Sequence, residues 1–320
     1  MSKYKFKPFA RDGLKTYPIK SRKSKVQIAD FAEAFSPDRS FSRFVESLPN
    51  ILAGKDFKDF LQLMEKAKIR QKTTIFALGA HVMKVGLNPL ILKLMEEGWI
   101  TALAMNGAGI IHDFEIALAG HTSEDVATQI KEGRFGMAEE TGELLNNAIN
   151  SAKENELGLG EAVGEFIENS DFAHKDLSIL AVAYKLNIPT TVHVAIGTDI
   201  IHFHQKADGE ALGNASMRDF FLFCSLCENL EGGGIFINIG SAVILPEIFL
   251  KAVTYVRNRG VALEDFSTAV FDFHHQYRPF ENVVKRPLGK KGRGFYFIGH
   301  HEIMIPLLAS SLRSFSPHKD

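Results

Sequence analysis

Nine of the twelve histidines (His81, His112, His193, His202, His204, His274, His275, His300 and His301) fall on or just after short apolar runs that read as β-strands. Imidazole changes charge near neutral pH, carries protons and binds metals. Nine such groups along one predicted sheet edge point to a shared pocket. Two chemistries fit. In the first, His112, His204 or His275 shuttles a proton and Asp199 or Asp113 orients it. In the second, His202, His204, His274 and His301 supply nitrogen ligands of the type zinc or iron uses, helped by the oxygen of Glu302. The spacing His202-x-His204 suits a strand, where alternate residues face one way. No HExxH motif accompanies them. Cys224 and Cys227 form a lone CxxC, but FFLFCSLCENL reads as an apolar helix in which free cysteines pack as small hydrophobes.

The elements that position these residues alternate in type. TTIFAL, TALAMN, TTVHVAI, IFINIG, STAVFDF and GRGFYFIG read as strands, and NPLILKLMEEG, FEIALAG and the runs 214–230, 245–259 and 301–313 as helices. A strand, a glycine loop and a helix follow one another twice from residue 73, the mark of parallel βαβ winding. Residues 122–186 read as helical without a strand, and KDFKDFLQLMEKAKI repeats apolar residues at helical spacing. Ligands of parallel sheets sit beyond the carboxyl ends of the strands. The loops there carry Gly79-Ala80-His81, Asn106-Gly107-Ala108, Asp199, Gly240-Ser241, His274-His275 and Gly299-His300-His301. Their glycines let a backbone approach a ligand closely, although GAGIIHD departs from GxGxxG at His112.

The formal net charge of −1 singles out neither nucleic acid nor membrane as partner. No apolar run reaches the roughly 18 residues of a membrane span, and no signal peptide follows the basic start, so a cytoplasmic location is expected. Residues 1–25 are rich in Lys, Arg and aromatics and read as an extended arm. The expected organisation is an arm with helices over 1–70 packing on the core, a core over 71–314, and a tail over 315–320.

The order of these motifs resembles the deoxyhypusine synthase family. MNGAGIIHDFEIAL is similar to that family's TTAGGVEEDLIKCL, and GAHVMKVGLNPLILKLMEEG to SNLISSGIRDIIRYLVQHK. NIPTTVHVAIGTD stands where the family has NIPVFSPALTDGS, and GGIFINIGSAVILPEIFLKAV where it has GMIILGGGVVKHHIANANL. The resemblance covers nearly the whole chain in one order. It implies an α/β fold with a Rossmann-like, mostly parallel sheet, helices on both faces, an extended N-terminal arm and helical segment, and a homotetramer. It also implies NAD held by Gly79, Ala80, His81, Asn106, Gly107, Ala108, Asp199, Gly240, Ser241, His274, His300 and His301.

The catalytic half departs from the family. Its paired glutamates become Ile111 and His112, its second aspartate His204 or His202, and its KHH histidine Leu245 or Pro246. The nucleophilic lysine that closes RPDEAVSWGK falls on Pro287; Lys285 lies two residues early, and Glu281 keeps the glutamate. A polyamine needs carboxylates as it leaves water, and imine chemistry needs a lysine at the reacting carbon. The leading expectation is therefore an NAD-dependent enzyme acting on a small molecule other than spermidine. The alternatives are a metal-dependent hydrolase or lyase using the histidines, a binding protein without catalysis, and a variant deoxyhypusine synthase working through Lys285.

Overall fold

The computed structural model describes residues 3–36 and 40–314. Six strands form one sheet: β1 (Thr74–Leu78), β2 (Ala102–Asn106), β3 (Thr190–His193), β4 (Gly234–Ile239), β5 (Phe266–Asp272) and β6 (Gly294–Ile298). The order is β3-β2-β1-β4-β5-β6, and every pairing is parallel. Each strand matches one of the apolar runs read from the sequence. The unbroken apolar character of the inner strands follows from burial on both faces, as a parallel sheet requires, while the edge strand β6 buries alternate residues.

Alternate residues separate into two cores. Phe76, Leu78, Leu103, Met105, Ile237 and Phe271 face one side, while Ile75, Ala77, Ala102, Ala104, Phe236 and Val270 face the other. The first side is covered by α1 (Phe41–Ser47), α2 (Leu52–Ile69), the short α3 (His81–Lys84), α4 (Asn88–Glu96), α5 (Gly107–Ala119), α7 (Glu139–Glu154), α8 (Leu159–Glu168) and α9 (Ile179–Lys185), while the short α6 (Val126–Gln129) lies outside the core with no buried residue. The second is covered by α10 (Gly209–Glu228), α11 (Ile244–Asn258), and α12 (Tyr277–Pro279) with the wider turns of Phe280–Lys285 that continue it. α13 (His301–Ser314) returns to the first side, with Ile305, Leu308 and Leu312 in its core.

Helix α2 packs Phe57, Phe60, Leu61 and Met64 into the first core. The arm before α1 adds little to that core. It holds two single 3₁₀ turns, Ile19–Ser21 and Ile28–Asp30, and its large apolar side chains are exposed. Its backbone meets the body where Asn50 N–H donates to Asp30 O and Glu33 N–H to Ser47 O. The expected tail, 315–320, lies outside the described residues. No helix among the described residues is long and apolar enough to cross a membrane.

Strand order reverses between β1 and β4, so the chain leaves these neighbours toward opposite faces, and the carboxyl ends at such a reversal are where ligands of parallel sheets bind. The two exits nearly touch. Gly79 N–H donates to Ile239 O at 2.8 Å, and a Cβ added to Gly79 would stand 2.5 Å from Gly240 O. Gly240 turns at φ +69, a conformation that side chains disfavour.

Candidate functional site at the carboxyl ends of the strands

The strand ends gather the histidines into separate groups. The group at the reversal point comprises Gly79, Gly240, His81, His301 and the exposed Phe273 that follows β5. His301 opens α13 and is buried against Gly240, where a Cβ would meet its Cε1 at 2.6 Å. Its Nε2–H donates to Phe271 O at 3.2 Å, which leaves Nδ1 as a bare acceptor, buried and without a partner. Burial holds the His301 pKa below the usual imidazole range, so the ring is neutral at pH 7. The exposed His81 ring lies 5.4 Å from it, and the Phe273 ring 6.1 Å from both. Beside the same turn, Asn238 Nδ2–H donates to Ser241 O at 2.9 Å and leaves its buried Oδ1 unpaired. Ser241 Oγ accepts from Leu245 N–H at 3.2 Å and caps the entry to α11.

A second group sits at the tip of α5. Asn106 caps this helix, its Oδ1 accepting from Gly109 N–H at 3.1 Å. The Asp199 carboxylate lies directly on Gly107, where any Cβ would fall 2.0 Å from Oδ2. A carboxylate already stands at this helix end, so Asn106, Gly107 and Ala108 form a capped structural turn rather than an open phosphate cradle. His202 Nδ1 accepts from Gly197 N–H at 3.0 Å, which places the proton on Nε2, 3.8 Å from Asp199 Oδ2. Both of these atoms are buried without a hydrogen-bond partner. Desolvation pushes Asp199 up and His202 down, so each is biased toward its neutral form.

The third group surrounds His112 on α5. Thr122 Oγ1 donates to Glu115, so it must accept from His112 Nδ1–H, 2.6 Å away. Thr141 donates to the other Glu115 oxygen at 3.1 Å. Burial, with Lys84 nearby, brings the His112 pKa down to about 4. Asp113, one residue on, is fully buried and structural. It accepts from Asn88, Ser178, Ile179 N–H and Leu180 N–H, and so ties α4, α5 and α9 together.

The remaining positions disperse. His193 is buried against Phe223. His204 packs its ring on Gly142 of α7. His274 is exposed beside Phe273, and His275 lies between Phe280 and Tyr296. His300 is exposed, 3.8 Å from Glu302. The expected metal set is thus corrected: His202, His204, His274 and His301 have four different sets of neighbours, and no group of three or more His, Cys, Asp or Glu among the described residues is placed to hold a metal ion. Lys285 and Glu281 are corrected as well. Val283 O takes the hydroxyl of Thr268 near the start of β5, and Val284 O lies against Gly294 at the start of β6. Lys285 therefore stands at the amino-terminal edge of the sheet, half exposed, paired with Glu281 at 3.2 Å and resting on the Phe280 ring. Cys224 and Cys227 are buried on α10, with burial pushing Cys224 up to about 11 and Cys227 well above the usual thiol range.

Solved structures share this architecture. A protein from Entamoeba histolytica, provisionally assigned as a deoxyhypusine synthase, superposes with a TM-score of 0.54 at 13% identity over 90% of this chain and 98% of its own. AgrE, solved in a ternary complex with ornithine and NAD+, gives 0.52 at 14% identity over 88% of this chain. ArgZ, an arginine dihydrolase from the ornithine-ammonia cycle in cyanobacteria, gives 0.50 at 18% identity over 83%. This chain spans about a third of the length of AgrE and of ArgZ, 34% in each. No protein-family model and no curated protein matches the chain. At these identities the likeness establishes the Rossmann-like α/β fold alone.

Phe273, Asn238 and the Thr122–Glu115–Thr141 network are the site-edge residues that sequence reasoning missed, together with the buried Asp272, whose Oδ1 accepts from His274 N–H at 3.2 Å behind the group. Asp272 had a visible signal, a carboxylate ending an apolar run. Thr122, Glu115 and Thr141 carried none, because only the packing of α7 against α5 unites them.

Proposed function

We propose that the chain is a deoxyhypusine synthase-like, NAD-dependent enzyme acting on a small molecule other than spermidine, with the dinucleotide at the carboxyl ends of β1 and β4. The observation that carries this is the meeting of Gly79 and Gly240 at the point where strand order reverses, with two buried acceptors left open beside it. Ribose hydroxyls and a carboxamide are donors, the partners that His301 Nδ1 and Asn238 Oδ1 lack. The small residues Gly79, Ala80, Gly240, Ser241 and Ala242 let a pyrophosphate approach the backbone at the entry to α11. NAD, once bound, supplies a hydride acceptor. The neutral His301 accepts a hydrogen bond or a proton there, and the exposed His81 passes protons to solvent.

Spermidine is disfavoured because the reversal-point group offers imidazoles rather than carboxylates to a polycation. The Lys285 route is disfavoured because that lysine stands at the opposite sheet edge. The AgrE complex with NAD+ adds fold-level support for the cofactor.

The test is calorimetric titration of NAD+ and NADH into the purified protein. Saturable binding is expected, weakened at least tenfold by Ser241→Asp, which keeps an oxygen for the Leu245 N–H but sets a negative charge against the pyrophosphate. Absence of heat and of thermal stabilisation at millimolar NAD+ would overturn the reading and favour a binding protein without catalysis.

A further inference from the structure

The arm and the body differ sharply in charge. Residues 1–25 hold nine of the 37 Lys and Arg but one of the 38 Asp and Glu, a net of +8 that leaves −9 on the rest. The arm is also apolar and uncovered. Tyr4, Phe6, Phe9, Tyr17, Phe31 and Phe35 are exposed, with Phe6 at 88% and Ile28 at 85%. Leaving so many large side chains in water is costly, and their crowding in one short segment suits an interface.

The body presents the complementary surface between residues 115 and 141. A cleft of about 460 Å³ there has a floor that includes Leu118, Ala119 and Ala138 and is edged by Glu115, Glu124 and Glu140. Among the described residues, Glu124 and Glu140 take part in no salt bridge. Val126, Ile130 and Met137 are exposed around it. Apolar ground edged by carboxylates matches a segment that reads Lys-Tyr-Lys-Phe-Lys-Pro-Phe.

We propose that the arm of one chain, residues 3–28, lies across the 115–141 surface of a second copy. Three observations select a second copy as the occupant. The arm stands off its own body, with its apolar side chains unburied. Its four aromatics, Tyr4, Phe6, Phe9 and Tyr17, at roughly 150 Å² each, offer about 600 Å², and the exposed Leu14, Ile19, Val26 and Ile28 add to it toward the roughly 800 Å² per partner that a stable interface buries. A copy also brings the opposite charge, whereas a body of −9 repels nucleic acid and anionic membrane. Reciprocal exchange of arms closes a two-fold assembly.

The experiment compares the full chain, a chain lacking residues 1–25, and the full-length double variant Phe6→Ser with Phe9→Ser by native mass spectrometry and light scattering at about ten micromolar. A dimer or higher multiple is expected for the full chain, and a smaller species for both variants with unchanged far-ultraviolet circular dichroism. The double variant changes exposed positions only, so it keeps the test valid if the truncation fails to fold. Carbodiimide treatment of mixed ¹⁵N-labelled and unlabelled chains should join arm lysines to Glu124 or Glu140 across isotopes. The proposal fails if the full chain is monomeric, if both variants keep its assembly state, if the cross-links stay within one isotope, or if the arm instead retains RNA or anionic vesicles.

Discussion

His301 and His112 show what single side chains decide here. Each donates one ring N–H to a neighbour, His301 to Phe271 O and His112 to Thr122, and each keeps the other nitrogen bare. Only the His301 acceptor adjoins the glycine turn at the reversal point. His301→Phe should therefore weaken NAD+ at least tenfold, while His112→Phe leaves the affinity within twofold; the same calorimetry checks both. Acid should expose the cost of burying such rings. His112 falls to about 4 and His193 to about 3 from an ordinary 6.5. Groups depressed in the folded state contribute stability that is present above 6.5 and is lost as pH falls toward those values. Urea midpoints of His193→Phe should thus decline less than wild type between pH 6.5 and 4. Asp113 sits at the other extreme of cost. Asp113→Ala leaves the Ser178 hydroxyl and the Ile179 and Leu180 N–H groups without their acceptor in the core and should remove about 3 kcal/mol or more, measured by urea unfolding. Sequence reasoning placed Gly79, Gly240 and His301 in the loops after β1, β4 and β6, where the structure has them, because the apolar runs fix where the strands end. It did not separate His301 from His204, since the difference lies in which backbone each ring meets.

All six strands and the main helices were legible, because a strand buried on both faces is an apolar run of limited length and a one-sided helix repeats every three to four residues. What the patterns could not carry is how the sheet ends. β3 is an edge strand, and its outward groups are covered by α10. Val192 N–H donates to Asp219 Oδ2 at 2.7 Å, and Ser216 lies against Val192 O and Val194 N. Gly160 N–H donates to the same Asp219 oxygen at 3.0 Å, so one carboxyl joins β3, α8 and α10. Burial pushes Asp219 up to about 7, and Gly158 is the small residue that leaves room for its unpaired Oδ1. The sign is opposite to that of the histidines. A raised carboxyl contributes stability below its unfolded value near 3.8 and loses it as pH rises through about 7. The stability difference between wild type and Asp219→Asn should therefore shift toward wild type as pH is lowered from 8 to 5, and a constant difference would show that Asp219 is not the titrating group. The CxxC on the same helix should be inert. Both thiols should ignore a disulfide reagent in the folded protein and react once it is unfolded in urea.

At the scale of the whole molecule, a near-neutral total conceals two oppositely charged parts. A net charge of −1 argued against a polyanionic partner, but an average cannot reveal that +8 is concentrated in twenty-five residues. The exposed arm also carries nine Lys and Arg, and all but Lys7, which precedes Pro8, are sites for a trypsin-like protease on backbone with no more than a single 3₁₀ turn. Docking on a second copy would shield those bonds, and dilution would uncover them, so the rate of clipping would report the dissociated fraction. A cut after Lys25 is not reversed by reconcentration. It turns a chain of −1 into one of −9 that has no arm to give yet keeps the surface that receives one. Such a chain can still accept an intact copy's arm while leaving the exchange half made, and the history of a sample would then be recorded in its assembly state.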